Sequence, residues 1–131
     1  MEERNGGDVE KRYLFHGTDA SLKEAICEQN IDWRFCGKHG TSYGKGSYFA
    51  RDASYSKTYA KAKGGMKMMF VALVLVGQFT KGSSNLSHPP QKKYKEGIYY
   101  DSCVDKEHDP SIFVIFEKHQ IYPEYIIEYF Q

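Results

Sequence analysis

Hydrophobic residues at the start of the chain follow two different spacings. Residues 12–15 (RYLF) have a strand-forming composition, whereas apolar residues at i, i+3 and i+4 over residues 22–26 predict a short helix. Thr18 or Asp19 is a suitable N-cap for this helix, and Asn30 is a suitable end. We therefore predict a strand followed directly by a helix.

The longest apolar stretch, residues 66–79 (MKMMFVALVLVGQF), follows a break at Gly64 and Gly65. It is too apolar and too rich in β-branched residues for a strand with one face in solvent, so we expect it in the centre of a sheet. Shorter stretches predict strands at 48–50, 98–102, 112–116 and 125–129, a helix from Asp52 to Tyr59 and a turn at 118–120. The pattern predicts an α+β domain in which strands dominate and the helices lie early in the chain.

Two segments lack periodicity and are predicted to be loops. Residues 37–47 (GKHGTSYGKGS) contain four glycines, and residues 80–97 are rich in Ser, Lys and Pro. We expect residues 1–10 to be a flexible N-terminal segment because they are polar and contain glycine. Residues 11–131 then form a single domain.

Composition limits the kind of protein that these elements can build. The chain has 131 residues, 40% of them hydrophobic, which suits one domain with a modest core and excludes a disordered, charge-dominated chain. Its net charge of +1 gives no overall field that would attract nucleic acid or an anionic membrane, and no apolar run is long enough for a membrane span. The three cysteines form no C-x-x-C pair and indicate free thiols in a reducing compartment. We expect an intracellular protein of the nucleus, the cytoplasm or both.

Three common kinds of functional site are not supported by the motifs in the sequence. Residues 40–47 (GTSYGKGS) superficially resemble a phosphate-binding loop, but the four-residue gap before Gly-Lys is missing and a glycine follows the lysine. Cys36 and His39 have the spacing of metal ligands and Cys27 could be a third, but a structural zinc site needs four ligands in close pairs. Cys103 and His108 stand close together in the sequence, but a hydrolase site at this pair has no support beyond composition. We therefore expect no metal site.

One group of polar and aromatic residues suits a planar ligand. His16 stands at a strand end, and Gly17 follows it with no Cβ to keep a ligand away from the backbone. Ser56 and Tyr59 share one helix face at i, i+3, and Tyr48 offers a further ring. Such a set could hold a planar amide attached to a ribose. The spacing alone leaves a structural alternative open, with His16 as a hydrogen-bonded core histidine and the tyrosines as half-buried core residues.

Several motifs occur in the order and spacing of a known family. They are LFHGT at residues 14–18, YGKGSYFA at 43–50, SYSKTY at 54–59, YDSCV at 100–104 and IFVIF at 112–116. In these motifs the chain resembles the catalytic domain of the PARP family of ADP-ribosyltransferases. It is most similar to the mono-ADP-ribosylating branch that carries CCCH zinc fingers and a WWE module in longer chains. The resemblance runs from Tyr13 to Tyr129.

The resemblance implies a fold and a substrate. The family's fold consists of two packed, mainly antiparallel sheets with short helices and a cleft for NAD between the sheets. The family's domain normally has an additional N-terminal section with a helix and a strand. We therefore expect this chain to carry a partial PARP-type catalytic domain, with NAD as its substrate.

The resemblance also implies a role for each matching residue. Four kinds of contact with NAD are expected. His16 and Thr18 would bind the adenosine ribose, and Gly17 and Ser56 the nicotinamide carboxamide. Tyr48 and Tyr59 would lie on the two faces of the nicotinamide ring, and the loop from Cys36 to Tyr43 would lie over the adenosine half. The expected catalytic set is His16, Tyr48 and Ile112.

Ile112 stands where polymerising members of the family carry a glutamate. A carboxylate there can activate the hydroxyl of an attached ribose, whereas isoleucine has no acceptor atom. We therefore expect a transferase that adds one ADP-ribose unit to a protein side chain. Its expected partners are NAD and acceptor proteins, with the chain itself as one candidate acceptor, and neither nucleic acid nor a membrane for this chain alone.

Two other functions remain open. A catalytically inactive relative would bind NAD or ADP-ribose, or act as an interaction module, without turning NAD over. An RNA-binding module is a second alternative because of the many tyrosines and of Lys92, Lys93 and Lys95, although the near-zero net charge speaks against it. NAD-induced thermal stabilisation without nicotinamide release would identify the inactive module. Steeply salt-dependent RNA affinity would identify the RNA-binding module.

Overall fold

The computed structural model of the chain describes residues 10–32, 42–57, 60 and 62–130. These residues form an α+β domain, which confirms the predicted class. The strands are β1 Lys11–Thr18, β2 Ser47–Ala50, β3 Met66–Leu75, β4 Phe79–Lys81, β5 Ser102–Val104, β6 Ile112–Ile115 and β7 Ile121–Phe130. The α-helices are α1 Lys23–Gln29 and α2 Ala53–Lys57, and single 3₁₀ turns lie at Ala20–Leu22 and Lys118–Gln120.

The seven strands form a sheet with the order β4-β5-β6-β2-β1-β3-β7. Strands β4 and β5 run parallel, and the other neighbouring strands are antiparallel. The long β1–β3 pair runs from Lys11 opposite Leu75 to Thr18 opposite Met68. Three strands that carry the sequence motifs, β1, β2 and β6, therefore lie side by side in the middle of the sheet.

The sheet curls over on itself. Only residues 76–78 connect β3 to β4, although these strands are five places apart in the sheet. Five interstrand spacings would separate them by about 24 Å in a flat sheet, whereas this connection spans at most about 14 Å. A contact crosses the curl, because the Arg12 guanidinium carbon lies 5.7 Å from the ring centre of Phe79 and 5.1 Å from that of Phe113. The two halves of the sheet thus provide the two packed layers that the resemblance implies.

The main core lies on the inner face of the curled sheet. Strand β3 contributes Met68, Phe70, Ala72 and Val74, which are every second residue, as the period of a strand requires. Its neighbours β1 and β7 lie on either side, so the long apolar stretch is an interior strand as predicted. Other strands and α1 complete the core with Leu14, Ile26, Ile31, Phe49, Val76, Val104, Phe113, Ile115 and Ile121.

The first helical segment has the ends that the sequence predicts. Asp19 caps the first turn, where its side chain accepts a hydrogen bond from the backbone N–H of Ser21. Asn30 ends α1, and its side-chain amide donates to the carbonyl oxygens of Lys118 and Ile121. Asn30 therefore also ties α1 to the start of β7. None of the helices in the described part of the chain is long and apolar enough to cross a membrane.

The apolar stretch at residues 66–79 is two strands rather than one. It turns at Gly77, which adopts a φ of +58°. A Cβ at this position would lie 2.2 Å from Oδ2 of Asp101, and the same oxygen accepts a hydrogen bond from the N–H of Gln78. A glycine in the left-handed region thus allows the chain to leave β3 and enter β4 at the opposite edge of the sheet.

The prediction of a strand at residues 98–102 is wrong. Tyr99 forms only an isolated bridge to Gln91, and the regular strand here is β5. Ile98 and Tyr99 stay 42% and 41% exposed, so their strand-forming side chains are not buried by a neighbouring layer. Pairing begins at Ser102 because β4 lies alongside from there on, and β4 itself extends into the segment predicted to be a loop.

Candidate functional site

His16 lies near the end of β1 and is only 2% exposed. Its Nδ1 lies 2.8 Å from the carbonyl oxygen of Tyr48 on the neighbouring strand β2. Because a carbonyl oxygen only accepts, Nδ1 donates this hydrogen bond, so that in the neutral form of the ring Nε2 is the acceptor nitrogen. The ring also packs against Phe49, with 5.2 Å between ring centres. Strand β2 therefore sets both the orientation and the tautomer of His16.

Gly17 lies directly against helix α2. A Cβ built on Gly17 would lie 1.8 Å from the carbonyl oxygen of Ser56, far inside van der Waals contact. Ser56 is itself buried, with 3% of its surface exposed. The sequence interpretation that the missing Cβ of Gly17 makes room for a ligand needs correction, because the backbone of α2 fills that space. The close packing instead brings Ser56 beside Gly17.

The hydroxyl of Tyr48 holds the segment that precedes β2. It accepts a hydrogen bond from the N–H of Tyr43 at 2.9 Å and donates one to the carbonyl oxygen of Gly44 at 2.8 Å. Tyr48 is 4% exposed and belongs to a small apolar group beside the main core. This group, the Tyr48 cluster, consists of Tyr48, Cys103 and Val114 with the partly buried Tyr43, Leu86, Ile112 and Phe116.

Ile112, the first residue of β6, is half-buried in the Tyr48 cluster. It lies opposite Ala50, while Val114 lies opposite Tyr48. Residues i and i+2 of a strand point to the same face, so Ile112 shares the face on which Val114 packs against Tyr48. An isoleucine at this position gives an apolar wall in place of a carboxylate.

Glu117 is the nearest carboxylate along the chain after Ile112, and it lies elsewhere. Its side chain is 58% exposed, and its Oε1 lies 2.5 Å from Nδ1 of His119. The same oxygen accepts a hydrogen bond from the N–H of His119 and so caps the 3₁₀ turn before β7. Glu117 therefore takes a local structural role at the surface.

A buried carboxylate that no sequence motif reveals lies just before β6. Asp105 is 8% exposed and accepts hydrogen bonds from Lys106, Ser111 and Ile112. Burial alone would raise the pKa of Asp105, but these hydrogen bonds outweigh it and hold the pKa below the ordinary value. The Asp-Pro-Ser run at residues 109–111 signals a turn before β6. Only the folded chain shows that an earlier aspartate closes this turn.

The remaining predicted site residues divide between described and undescribed parts of the chain. Thr18 is buried at the end of β1, and Tyr43 is half-buried beside Tyr48. Tyr59 lies outside the described residues, so its stacking role stays a prediction. Most of the loop expected over adenosine, including Cys36 and His39, also lies outside them.

Two surface hollows of several hundred Å³ are lined by described residues. One, of about 490 Å³, borders the Tyr48 cluster at Phe116 and has His88 and Tyr99 on its other side. The other, of about 560 Å³, lies between the end of α1 and the first half of β7, with Ile26 and Phe70 at its base. His16, Gly17 and Ser56 line neither hollow, so their grouping depends on strand pairing and helix packing.

The described cysteines are free thiols in different surroundings. Cys27 is exposed on α1, and Cys103 is buried in the Tyr48 cluster. Burial raises the pKa of the Cys103 thiol to about 11, so the thiol is protonated at neutral pH and packs as an apolar group. Within the described ranges, no group of three His, Cys, Asp or Glu side chains could hold a metal ion.

The chain is similar in sequence to known proteins. The sequence model of the family described as "Poly(ADP-ribose) polymerase catalytic domain" matches residues 2–97. The chain is 58% identical over 130 residues to "Protein mono-ADP-ribosyltransferase PARP12" of Mus musculus and of Homo sapiens, covering 98% of this chain and 18% of each relative. It is 41% identical over 148 residues to "Protein mono-ADP-ribosyltransferase PARP11" of Mus musculus, covering 98% of this chain and 45% of that relative. The chain thus spans less than half the length of these relatives.

Proposed function

This chain belongs to the family of PARP catalytic domains, and we propose on that basis that it transfers one ADP-ribose unit from NAD to a protein side chain and releases nicotinamide. The observation that carries the proposal is the contact between Gly17 and Ser56, which lies next to the His16–Tyr48 hydrogen bond. Together these contacts collect four of the residues that the family resemblance assigns to NAD.

The nicotinamide half of NAD is proposed to bind at Gly17. A carboxamide has both donor and acceptor atoms, and the backbone N–H and C=O of Gly17 would supply the complementary donor and acceptor. The Ser56 hydroxyl would complete the set from the adjacent helix. The rings of Tyr48 and Tyr59 would stack on the two faces of nicotinamide.

The adenosine ribose is proposed to bind at His16. With the proton on Nδ1, the Nε2 atom is the acceptor that a ribose hydroxyl needs. Thr18, at the end of the same strand, would assist at this ribose. Tyr43 would contribute from the segment that the Tyr48 hydroxyl holds.

The proposed reaction needs no group that protonates the leaving base. The bond between C1′ of the ribose and N1 of nicotinamide breaks, and its electron pair leaves with N1, which gives neutral nicotinamide. The sugar carbon becomes oxocarbenium-like and takes a lone pair from the acceptor side chain. The main task of the protein is thus to orient NAD and stabilise the shift of charge.

Transfer of a single unit is proposed because of Ile112. A second unit would require the hydroxyl of an attached ribose to be activated by a base at the cleft. Ile112 has no acceptor atom, and Glu117 lies at the surface with His119. Acceptor proteins, with the chain itself among the candidates, would therefore each receive one unit per modified side chain. We further propose an intracellular site of action in the nucleus, the cytoplasm or both.

The proposal is tested by incubating the purified chain with excess NAD and a cell lysate. Nicotinamide release and the mass of modified peptides are measured, with His16→Ala as the site variant. His119→Ala is the matched control because His119 is a surface histidine with an 83% exposed side chain. We expect nicotinamide release and single ADP-ribose increments with the unmodified chain and His119→Ala, and loss of both with His16→Ala.

Each other outcome identifies a different function. Thermal stabilisation by NAD without nicotinamide release would assign an NAD-binding module in place of a transferase. Ladders of repeated ADP-ribose units would contradict the assignment of Ile112. Equal activity of His16→Ala and His119→Ala would remove His16 from the site.

A further inference from the structure

The carboxylate of Asp105 closes the loop formed by residues 105–111. Its Oδ1 accepts hydrogen bonds from the backbone N–H groups of Lys106, Ser111 and Ile112 at 2.9, 3.0 and 3.1 Å. Its Oδ2 accepts a fourth hydrogen bond from the hydroxyl of Ser111 at 2.6 Å. Hydrogen bonds to an ionised carboxylate are stronger than those between neutral groups, and Asp105 is largely shielded from water. The 105–111 loop is therefore held firmly at its base.

Asp105 also holds the main chain of Ile112 at both of its polar groups. The N–H of Ile112 donates to Oδ1 of Asp105, and the carbonyl oxygen of Ile112 accepts a hydrogen bond from the N–H of Asp105 at 3.3 Å. Ile112 opens β6, so these two bonds determine where that strand begins. The position of the Ile112 side chain against the Tyr48 cluster thus depends on a residue that does not itself belong to that cluster.

The apolar wall at Ile112 has a consequence for the proposed reaction. Once the C1′–N1 bond breaks, the sugar carbon can accept a lone pair from the acceptor side chain or from water. Attack by water gives free ADP-ribose, and the water proton passes to the solvent. In the proposed binding mode, the apolar Ile112 side chain in the Tyr48 cluster would offer no hydrogen bond to hold a water molecule beside the sugar carbon.

We propose that Asp105 is a positioning residue that keeps Ile112 in the Tyr48 cluster and thereby sets how ADP-ribose is divided between the acceptor protein and water. This inference rests on the proposed function. Asp105 acts through Ile112 and does not itself touch NAD. Its contribution appears in the ratio of hydrolysis to protein transfer, because that ratio depends on access of water to the sugar carbon.

The chain offers a matched control within the same loop. Asp109 is 80% exposed in its side chain, and its Oδ1 accepts a hydrogen bond from the guanidinium of Arg51 at 2.8 Å. Asp109→Asn therefore makes the same chemical change as Asp105→Asn on the outside of the loop. An exposed ion pair of this kind contributes little to stability.

The experiment measures two products of labelled NAD with the purified chain and acceptor protein: free ADP-ribose and protein-bound ADP-ribose. We expect Asp105→Asn to raise the ratio of free to bound ADP-ribose by about threefold or more, and Asp109→Asn to leave it unchanged. Ser111→Ala, which removes only the hydroxyl contact to Oδ2, should raise the ratio less. The ratio does not depend on the fraction of folded protein, since both products come from the same active molecules.

The possible results separate this inference from the function on which it rests. An unmodified chain that releases no nicotinamide contradicts the proposed transferase. An unmodified chain that transfers ADP-ribose, with Asp105→Asn lowering both products in equal proportion, overturns the positioning role and leaves Asp105 a purely structural residue. If Asp105→Asn does not fold, Ser111→Ala decides, and an unchanged ratio in that variant overturns the inference.

Discussion

Strands β2 and β7 both contain tyrosine and phenylalanine, but these side chains are buried on β2 and mostly exposed on β7. All four residues of β2 are buried, because β1 and β6 lie on its two sides. Within the described residues, strand β7 pairs with β3 alone at the edge of the sheet, and its Tyr122, Tyr125 and Phe130 are 65%, 59% and 72% exposed. Burial here is therefore decided by position in the sheet and not by residue type.

The tyrosines show what this difference means for function. Tyr48 on β2 is 4% exposed and uses its hydroxyl to hold the backbone of Tyr43 and Gly44. Tyr125 on β7 leaves most of its ring in water. A side chain that must present a fixed surface to a ligand needs neighbours on both sides, and the middle of the sheet supplies them. The comparison predicts that substitutions in the middle of the sheet cost far more than those on β7.

The largest effect is expected for Gly17→Ala. The new Cβ would collide with the carbonyl oxygen of Ser56 at 1.8 Å, so β1 and α2 must separate. We expect the free energy of unfolding to fall by about 3 kcal/mol. Denaturant unfolding measures this loss.

Gly64→Ala is the control for the backbone effect of that substitution. Gly64 has a φ of +61°, and a Cβ built there meets no described atom within 4 Å. We expect a loss of about 1 kcal/mol from the left-handed backbone alone. Equal losses in the two variants would contradict the tight packing at Gly17.

The next effect concerns the two described thiols. Burial raises the pKa of Cys103 from 9.0 to about 11, so its thiolate fraction at pH 8 is about a hundredfold below that of an ordinary thiol. We expect iodoacetamide to modify the exposed Cys27 in the native protein at least about a hundredfold faster than Cys103. Mass spectrometry of a Cys36→Ala variant measures both rates. Similar rates at the two thiols would show that the Tyr48 cluster opens readily.

The same pKa shift predicts a loss of stability in alkali. The thiol of Cys103 ionises near pH 9.0 in the unfolded chain and near pH 11 in the folded protein. The unfolded state therefore loses its proton first, and the stabilising contribution, complete below pH 9.0, is lost as the pH rises through about 11. Cys103→Ala should remove this part of the pH dependence in denaturant unfolding. An identical alkaline profile in the variant would assign the loss to other groups.

A smaller effect is expected for Tyr48→Phe. The substitution keeps the ring but removes the hydrogen bonds to Tyr43 and Gly44. We expect a loss of about 1–2 kcal/mol in the free energy of unfolding, because a backbone donor and acceptor lose their partner. Tyr125→Phe on β7 makes the same chemical change at an exposed ring and should stay within about 0.5 kcal/mol. A loss at Tyr125 as large as that at Tyr48 would contradict the comparison of the two strands.

The smallest effect is expected for Phe130→Thr at the end of β7. The side chain is 72% exposed and threonine favours a strand, so unfolding should change by less than about 0.5 kcal/mol. Denaturant unfolding at low protein concentration measures this change. A loss near 2 kcal/mol would show that the outer side of β7 is covered in solution.

The strands of the site were predictable because the motifs and the hydrophobic pattern occupy the same residues. The strands predicted at residues 12–15 and 112–116 are present with ends moved by a few residues. Strand β7 begins at Ile121, four residues before the prediction, because its outer edge tolerates Pro123. The strand predicted at 98–102 failed, since aromatic composition alone does not supply a partner strand.

The candidate site was predictable as a list of residues but not as a set of contacts. His16, Gly17, Tyr48 and Ser56 could be named from the motifs. The sequence interpretation nevertheless assigned the space left by the missing Cβ of Gly17 to a ligand. In the structure the carbonyl oxygen of Ser56 occupies that space. Asp105 was missed altogether, because an aspartate in a polar loop has no local signal that distinguishes a buried carboxylate from a solvated one.

The sequence by itself determined the α+β class, the PARP family and the isoleucine that takes the place of a glutamate. These follow from residue types, from short-range spacing and from motif order, which are all properties of the chain before it folds. Only the tertiary structure decided that α2 packs onto Gly17, that Tyr48 holds Tyr43, and that Asp105 sets the start of β6. The packing of α2 on β1 joins residues from distant parts of the chain, and the Tyr48 cluster does the same. They arise because β1, β2 and β6 become neighbours in a sheet that curls, and no local pattern encodes that arrangement.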